Sequence, residues 1–235
     1  MSIRTIVLLP GLDGTGALFE PVIAALSRTY NIYSARYPAD RFLSYTELLA
    51  CVNDIIPSDP FILVGESFSS PLAVKFAACH PTNLVGLIIC AGFVTNPLRK
   101  WSFGIRVLAN PLLLRIPLPD MVMEKFIVGR RAPAALKVAV RRALSLVHPN
   151  VLAQRIHAVL ECDTREALKR IKVPIMYIQG ENDRLVQAEC FQEIQGLRPD
   201  TVLASISAPH LVLQREPQKA AAVISKFIDS LSAHS

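Results

Sequence analysis

The chain has 235 residues, of which 51% are hydrophobic and 19% are charged, and its formal net charge is +6. This length and hydrophobic fraction support one large domain, or a domain with an insertion, that folds alone. The longest uninterrupted apolar stretch, residues 84–94, is shorter than a bilayer requires, so no transmembrane segment is expected.

The start of the chain and its cysteines bear on the compartment. The first apolar run is quickly broken by Pro10, Gly11 and Asp13, which is unlike a secretory signal. The five cysteines are an odd number, widely spaced and without a C-x-x-C pair, as is typical of a reducing compartment. We therefore expect a cytoplasmic protein. The five histidines show no ligand spacing with Cys, Asp or Glu, so no metal site is expected.

Short apolar runs alternate with longer amphipathic runs along the chain. Because most of the short runs are apolar at consecutive positions, we expect both of their faces to be covered, as in a parallel sheet. The predicted fold class is α/β, with a mostly parallel central sheet of about six strands flanked by crossover helices. The predicted strands are 3–10, 31–36, 61–65, 84–92, 173–180 and 201–207, and the predicted helices are 17–28, 45–55, 69–79, 187–196 and 216–231.

The alternation breaks once, between the fourth and fifth predicted strands. Residues 96–165 contain several prolines and apolar clusters but no convincing strand, which predicts an all-helical insertion between two core segments, 1–95 and 166–235. The insertion holds 12 Lys and Arg against 4 Asp and Glu, a net charge of +8. The positive charge of the protein is therefore a property of the insertion.

The strand at 61–65 runs into the pentapeptide Gly65-Glu66-Ser67-Phe68-Ser69 and then into a predicted helix. This strand-turn-helix context is that of a nucleophile elbow, a sharp turn that presents a serine hydroxyl at the edge of a sheet. The turn needs a small residue two positions before the serine and another two positions after it. Gly65 fills the first of these positions, as is usual. Ser69 fills the second, where glycine is usual. Taken alone, Ser67 could equally be a helix N-cap residue.

A serine nucleophile needs a base, which is itself oriented by a carboxylate. In an open parallel sheet these partners follow the carboxyl ends of later strands. Asp183 follows the strand at 173–180 and His210 follows the strand at 201–207, in the chain order that this chemistry requires. The alternatives are that Glu181 supplies the carboxylate, that Asp183 is a turn residue, or that His210 only begins the last helix.

Four stretches resemble the α/β-hydrolase superfamily in its serine esterase or lysophospholipase-like branch: "LLPGLDGTG", "GESFSS", "GENDRLV" and "APHLVLQREP". The resemblance implies a compact version of that fold with 96–165 as a helical cap. It also implies Ser67 as the nucleophile, His210 as general base and acid, and Asp183 as the orienting carboxylate. The oxyanion hole would consist of the backbone N–H groups of Leu12 and Phe68. No cofactor is implied. The loop before Leu12 reads Pro-Gly, where the family usually has His-Gly.

The expected function is that of a serine hydrolase that cleaves carboxylic esters through an acyl-enzyme. Apolar side chains of the insertion, Trp101 and Phe126 among them, suggest an apolar acyl pocket, although packing of the cap would explain them as well. A thioesterase, an acyltransferase and a hydrolase-fold module that binds a ligand without turnover remain alternatives.

The basic residues of the insertion have two interpretations. They form either a solvated face or a surface that attracts an acidic partner. Pimeloyl-acyl-carrier-protein methyl ester carboxylesterases, from the same superfamily, resemble the second arrangement, with an acidic carrier at a basic cap. Anionic lipid headgroups and acyl-CoA phosphates would also fit. Nucleic acid is not expected, because the basic residues are not interleaved with aromatic ones. The oligomeric state is left open.

Overall fold

A computed structural model describes residues 3–232 of the chain, apart from the side chain of Lys100. Six strands form one sheet in the order β2-β1-β3-β4-β5-β6, and every neighbouring pair is parallel. This confirms the predicted fold class. The strands are β1 Thr5–Leu9, β2 Asn31–Ser34, β3 Phe61–Glu66, β4 Leu84–Cys90, β5 Ile175–Gly180 and β6 Val202–Ile206.

Helices connect the strands and cover both faces of the sheet. The regions predicted as crossover helices are helical, with ends that differ by a few residues from those predicted. Short 3-10 turns at Ala17–Phe19 and Ser67–Ser69 precede two of the helices. The α-helices are α1 Glu20–Leu26, α2 Tyr45–Asn53, α3 Ser70–Ala77, α4 Ser102–Leu108, α5 Asp120–Phe126, α6 Ala134–Ser145, α7 Pro149–Glu161, α8 Arg165–Arg170, α9 Ala188–Leu197, α10 Val212–Arg215 and α11 Pro217–Ser232.

The hydrophobic core lies on both faces of the sheet. Alternate residues of β1 point to opposite sides, so Val7 and Leu9 enter one apolar cluster while Ile6 and Leu8 enter the other. The prediction that both faces are covered holds for the inner strands. It is wrong for β2 and β6, whose residues are mostly half-buried or exposed, because these strands form the two edges of the sheet.

The helical insertion follows β4 and contributes α4 to α7, and none of the six strands lies within it in the described part of the chain. Its two ends lie side by side. Thr95 and Asp163 form an isolated antiparallel bridge, and the backbone N–H of Thr164 donates to the carbonyl oxygen of Val94 at 2.8 Å. The insertion therefore leaves and rejoins the core at one place. The exact division at 96–165 stays a prediction.

Within residues 3–232, no helix combines the length and the apolar character that crossing a membrane requires.

Candidate active site

Ser67 occupies a strained turn at the carboxyl end of β3. Its φ of 49° lies in the left-handed region, which residues with a Cβ rarely adopt. The turn brings α3 close to the strand. A Cβ added at Gly65 would lie 2.6 Å from the Cβ atom of Ala73 and 2.9 Å from the carbonyl oxygen of Ser69. Glycine at position 65 is therefore required for this close approach.

Three side chains from three separate loops meet at this end of the sheet. The Nε2 atom of His210 lies 2.8 Å from Oγ of Ser67, and its Nδ1 atom lies 2.7 Å from Oδ2 of Asp183. The side chains of His210 and Asp183 are only 6% and 1% exposed, so water competes little for their contact. The structure thus brings together the three residues that the sequence singled out.

The loop after β5 fixes the carboxylate of Asp183. Its Oδ1 atom accepts hydrogen bonds from the backbone N–H groups of Leu185 and Val186, at 2.8 and 2.9 Å. The other oxygen is then left for the imidazole. Glu181, the alternative carboxylate, is exposed and forms no hydrogen bond or ion pair with His210. A Cβ at Gly180 would lie 2.6 Å from the carbonyl oxygen of Pro209, so glycine there lets the two loops approach each other.

Burial and charge act on His210 in opposite directions. Burial lowers the pKa of its imidazole, but the charge and hydrogen bond of Asp183, together with the charge of Glu66, outweigh burial and leave the pKa above its usual 6.5. When the ring is neutral, its Nδ1–H donates to Asp183 and its Nε2 atom accepts from the hydroxyl of Ser67. The arrangement is suited to withdrawing the hydroxyl proton.

Glu66 is a second titratable group in this region, and no pattern in the sequence singles it out. It is 2% exposed, and Nε2 of Gln214 donates to both of its carboxylate oxygens, at 3.0 and 3.3 Å. Burial raises the pKa of Glu66 to about 7, although the hydrogen bond from Gln214 and the charge of His210 lower it. A buried carboxyl group with a raised pKa therefore directly precedes Ser67, and its charge helps to raise the pKa of His210.

The backbone N–H groups of Phe68 and Leu12, the two expected oxyanion donors, have no hydrogen-bond acceptor among the described residues. Phe68 is the second residue of the 3-10 turn Ser67–Ser69, where a backbone N–H has no partner within the turn. Leu12 lies in the loop after β1, and its N–H finds no acceptor among residues 3–232. Unpaired donors of this kind beside a nucleophile are typical of an oxyanion hole.

The unusual Ser69 connects the turn at Ser67 to the loop that carries Leu12. Its Oγ donates a short hydrogen bond to the carbonyl oxygen of Pro10 and contacts the hydroxyl of Tyr37 at 2.6 Å. Both Ser69 and Tyr37 are buried. The hydroxyl that replaces the usual glycine is thus a structural link between the two segments.

Arg155 on α7 also binds the loop that carries Leu12. Its Nη1 atom donates to the carbonyl oxygens of Leu12 and Asp13, at 2.9 and 2.8 Å, and its Nη2 atom donates to that of Pro38 at 2.9 Å. It is 2% exposed, and its guanidinium lies 5.8 Å from the centre of the Phe68 ring. The interpretation of the basic residues of the insertion as surface groups is wrong for Arg155, because backbone carbonyls and aromatic rings surround it.

Apolar side chains of the insertion pack beside the loop of Leu12. A cluster formed by Val147, Val151 and Leu152 is in contact with Leu12 and with Leu114. On the opposite side, the backbone N–H of residue 211 donates to the carbonyl oxygen of residue 127 at 3.2 Å. The insertion therefore contacts the loops that carry Leu12 and His210.

Of the two aromatic residues named for an acyl pocket, Trp101 lies differently from that expectation, whereas the role of Phe126 stays a prediction. Trp101 is 71% exposed and is in none of the apolar clusters. Phe126 is half-buried, with the Nζ atom of Lys125 at 5.2 Å from its ring centre. The suggestion that Trp101 lines the pocket is wrong, because the face of the insertion that carries it points to solvent.

Comparison with known proteins places the chain among hydrolases. It matches the model of the family described as "Serine aminopeptidase, S33" over residues 37–197, a span that includes Ser67 and Asp183. The putative carbamate hydrolase RutD of Escherichia coli O157:H7 (strain EC4115 / EHEC) is 25% identical over 223 residues, which cover 83% of this chain and 80% of that protein.

Two further comparisons extend over almost the whole chain. The biotin biosynthesis bifunctional protein BioHC of Cellvibrio japonicus (strain Ueda107) is 24% identical over 235 residues, which cover 95% of this chain but 45% of that protein. The crystal structure of the enol-lactonase from Burkholderia xenovorans LB400 has a TM-score of 0.81 at 18% identity, covering 97% of this chain and 92% of that one. The family match spans more than half of the chain, and the fold agrees with it, so the protein belongs to the serine aminopeptidase S33 family of hydrolases, within the α/β-hydrolase superfamily.

Proposed function

We propose that this protein is a serine hydrolase that cleaves carboxylic esters of apolar acyl chains through an acyl-enzyme. The observation that carries the proposal is the hydrogen-bonded array of Ser67, His210 and Asp183, with Ser67 on a strained turn. A helix N-cap serine would need neither a buried imidazole on its hydroxyl nor a buried carboxylate behind that imidazole.

The mechanism assigns one role to each group. The Oγ atom of Ser67 attacks the acyl carbonyl while Nε2 of His210 accepts the hydroxyl proton, and Asp183 stabilises the imidazolium that forms. The N–H groups of Leu12 and Phe68 donate to the oxyanion. The imidazolium then gives its proton to the leaving alcohol or thiol. A water molecule, deprotonated by His210, attacks the acyl-enzyme and releases the acid and Ser67.

The preference for an apolar acyl group rests on the surroundings of Leu12. The insertion packs the cluster of Val147, Val151 and Leu152 against it, so a group bound beside the oxyanion donors meets hydrocarbon on that side. Because the acyl-enzyme is common to hydrolysis and acyl transfer, a thioester or an alcohol acceptor would use the same residues.

An ester bound to an acidic carrier protein is the second candidate substrate. It is favoured by the net charge of +8 on the insertion and by the similarity to BioHC, whose name refers to biotin biosynthesis. Five basic residues of the insertion are exposed and form no ion pair with any described residue: Arg115, Lys125, Arg130, Arg131 and Arg142. For such a substrate kcat/KM would fall steeply with ionic strength, whereas for a neutral ester it would not.

Hydrolysis of p-nitrophenyl esters from acetate to palmitate, by the wild type and by Ser67→Ala, tests the proposal. We expect turnover that disappears in Ser67→Ala and an optimum at a medium or long acyl chain. A p-nitrophenyl carbamate in the same series would reveal a preference like the one in the name of RutD. Unchanged turnover in Ser67→Ala, or no turnover together with no labelling of Ser67 by a fluorophosphonate, would refute the proposed chemistry.

A further inference from the structure

The segment that starts the helical insertion exposes large apolar side chains to solvent. Phe103 is 84% exposed, and α4 has no buried residue at all. Apolar patches of this kind are unusual on the surface of a soluble protein and commonly mark a site of interaction. The exposed residues, which we call the docking face, are Trp101, Phe103, Val107, Leu108, Leu112, Leu113 and Ile116.

The apolar residues of α4 form one continuous outer face. At about 100° per residue, positions 103, 104, 107 and 108 fall within one half of the helix surface, and the exposed Trp101 directly precedes the helix. That half carries no charged residue. The opposite half is turned toward the protein, since Ser102 and Ile105 are half-buried and the adjoining Ala109 is buried.

Positive charge borders this apolar face. Residues 98–119 contain four Lys or Arg and no Asp or Glu. Two of the arginines contact acidic residues at the margin, Arg99 with Glu193 at 3.4 Å and Arg106 with Glu161 at 3.2 Å. The face is therefore apolar in the middle, and Arg115 is the exposed arginine at its edge that forms no ion pair with a described residue.

The docking face is continuous with the surroundings of the candidate active site. Leu112 and Leu113 are exposed, whereas Leu114, the next residue, packs into the apolar cluster that contacts Leu12. One short stretch of chain thus connects solvent-exposed apolar surface with the apolar side of the loop that carries Leu12, the proposed oxyanion loop. An acyl chain leaving a lipid aggregate at this surface would meet hydrocarbon along the way.

We propose that the docking face binds the surface of an anionic lipid aggregate, with its aromatic and aliphatic side chains inserted among the acyl chains and Arg115 against the headgroups. An uncharged apolar helix face that includes Trp and Phe and is bordered by Arg is the composition typical of helices that lie in a membrane interface. An acidic carrier protein would meet the arginines but would leave the apolar middle without a hydrocarbon partner. The proposal extends the proposed function and does not depend on it, because binding can be measured without turnover.

The chain provides its own reporter for a test. Trp101 is the only tryptophan in the sequence and belongs to the docking face. The full-length Ser67→Ala protein, which leaves the lipid intact, is mixed with vesicles of phosphatidylcholine alone or of phosphatidylcholine with phosphatidylglycerol. Flotation gives the bound fraction, and the emission of Trp101 reports insertion into an apolar medium. We expect co-flotation and a blue shift with the anionic vesicles, both weaker at high salt.

Two sets of variants in the same Ser67→Ala background locate the contact. Phe103→Ser combined with Val107→Ser should weaken binding about ten-fold or more, because two inserted side chains are lost. Arg115→Gln should weaken it about five-fold. The matched control combines Tyr33→Ser with Val202→Ser, two exposed apolar positions on the edge strands of the sheet, 46% and 52% exposed, and should bind like the parent.

Three results would overturn the proposal. The first is Trp101 emission that is unchanged by anionic vesicles, with the protein left at the bottom of the gradient. The second is binding that the Phe103→Ser, Val107→Ser variant retains in full. The third is a blue shift that depends on protein concentration without lipid, together with a dimeric mass, which would assign the face to a second copy. Ester turnover by the wild type is measured independently of these three results. Failure of the lipid-binding proposal is therefore distinguishable from failure of the proposed function.

Discussion

Replacement of Arg155 tests whether the helical insertion controls the geometry of the loop that carries Leu12, the proposed oxyanion loop. Arg155→Met keeps most of the side-chain volume and removes three charge-assisted hydrogen bonds, to the carbonyl oxygens of Leu12, Asp13 and Pro38. Each lost bond of this type is worth about 1.5–3 kcal/mol, but removal of a buried charge offsets part of the sum. We expect the free energy of unfolding to fall by about 2–4 kcal/mol.

The effect on catalysis is distinct from this loss of stability. Complete loss of one oxyanion donor costs about 10²–10³ in kcat. Arg155 binds the carbonyl oxygen of Leu12 and so positions the N–H of the same residue, without contacting the substrate. We therefore expect kcat to fall by roughly 10- to 100-fold with little change in KM. Arg155→Lys, which keeps a charge but cannot reach all three carbonyls, should lie between Arg155→Met and the wild type.

The assay is steady-state hydrolysis of a soluble p-nitrophenyl ester, together with the affinity for a boronic acid that mimics the tetrahedral intermediate. Boronate affinity should fall in parallel with kcat/KM across the variants. Arg142→Met, an exposed arginine in the same insertion, is the matched control and should be unchanged in both. If Arg155→Met lost stability but kept kcat and boronate affinity within about two-fold of the wild type, Arg155 would be a packing residue only.

Substitutions at four further positions have expected outcomes. In Glu66→Gln, the acid limb of the pH profile of kcat/KM should move to lower pH, because the charge of Glu66 helps to raise the pKa of His210 above 6.5 in the wild type. In the wild type, the free energy of unfolding should decline between pH 4.5 and about 7, because the folded protein retains a proton on Glu66 that the unfolded chain has lost. Glu66→Gln should lack this decline, and chemical denaturation across the same pH range measures it. Asp183→Asn should lower kcat by roughly 10³–10⁴ with the fold intact, as circular dichroism would show, and full activity would contradict the assigned role. Ser69→Ala should cost about 1–3 kcal/mol in urea unfolding and reduce kcat, whereas Ser69→Gly with unimpaired kcat would mean that the bond to Pro10 has no effect on the oxyanion loop. Gly65→Ala should destabilise the protein by at least about 1–3 kcal/mol, since the new Cβ would lie 2.6 Å from that of Ala73.

The parts of the fold and site that could be predicted from sequence are those that leave a local pattern. Consecutive apolar residues mark the inner strands, and a glycine two positions before Ser67 marks the turn. Asp183 and His210 follow strands, and parallel strands place such positions at one edge of the sheet. Each of these signals is contained within about ten residues of chain.

Arg155 shows why the rest could not be predicted. Its partners are backbone carbonyls 117 to 143 residues away in sequence, and a carbonyl is present at every residue. The one local signal is its position among buried residues of α7, since Leu152 and Val159 lie on the same face of the helix. An arginine within an apolar stripe indicates a buried charge but does not identify what it binds.

The exposure of α4 could not be predicted from the sequence either. Its apolar residues have the composition of a core helix, and composition does not distinguish a helix that is covered from one that is not. Only the three-dimensional arrangement shows that Ser102 and Ile105 face the protein while Phe103 and Val107 face solvent.

The side-by-side ends of the helical insertion have a consequence for how such proteins diversify. Because Thr95 and Asp163 are bridge partners, another helical segment could be spliced between them without moving any strand of the sheet, and substrate preference could change by exchange of one cassette. Arg155 limits which cassettes would work. A donor segment that lacks an equivalent guanidinium would leave the loop of Leu12 unsupported, so a chimera of this kind would fold around an intact Ser67, His210 and Asp183 and still be a slow catalyst.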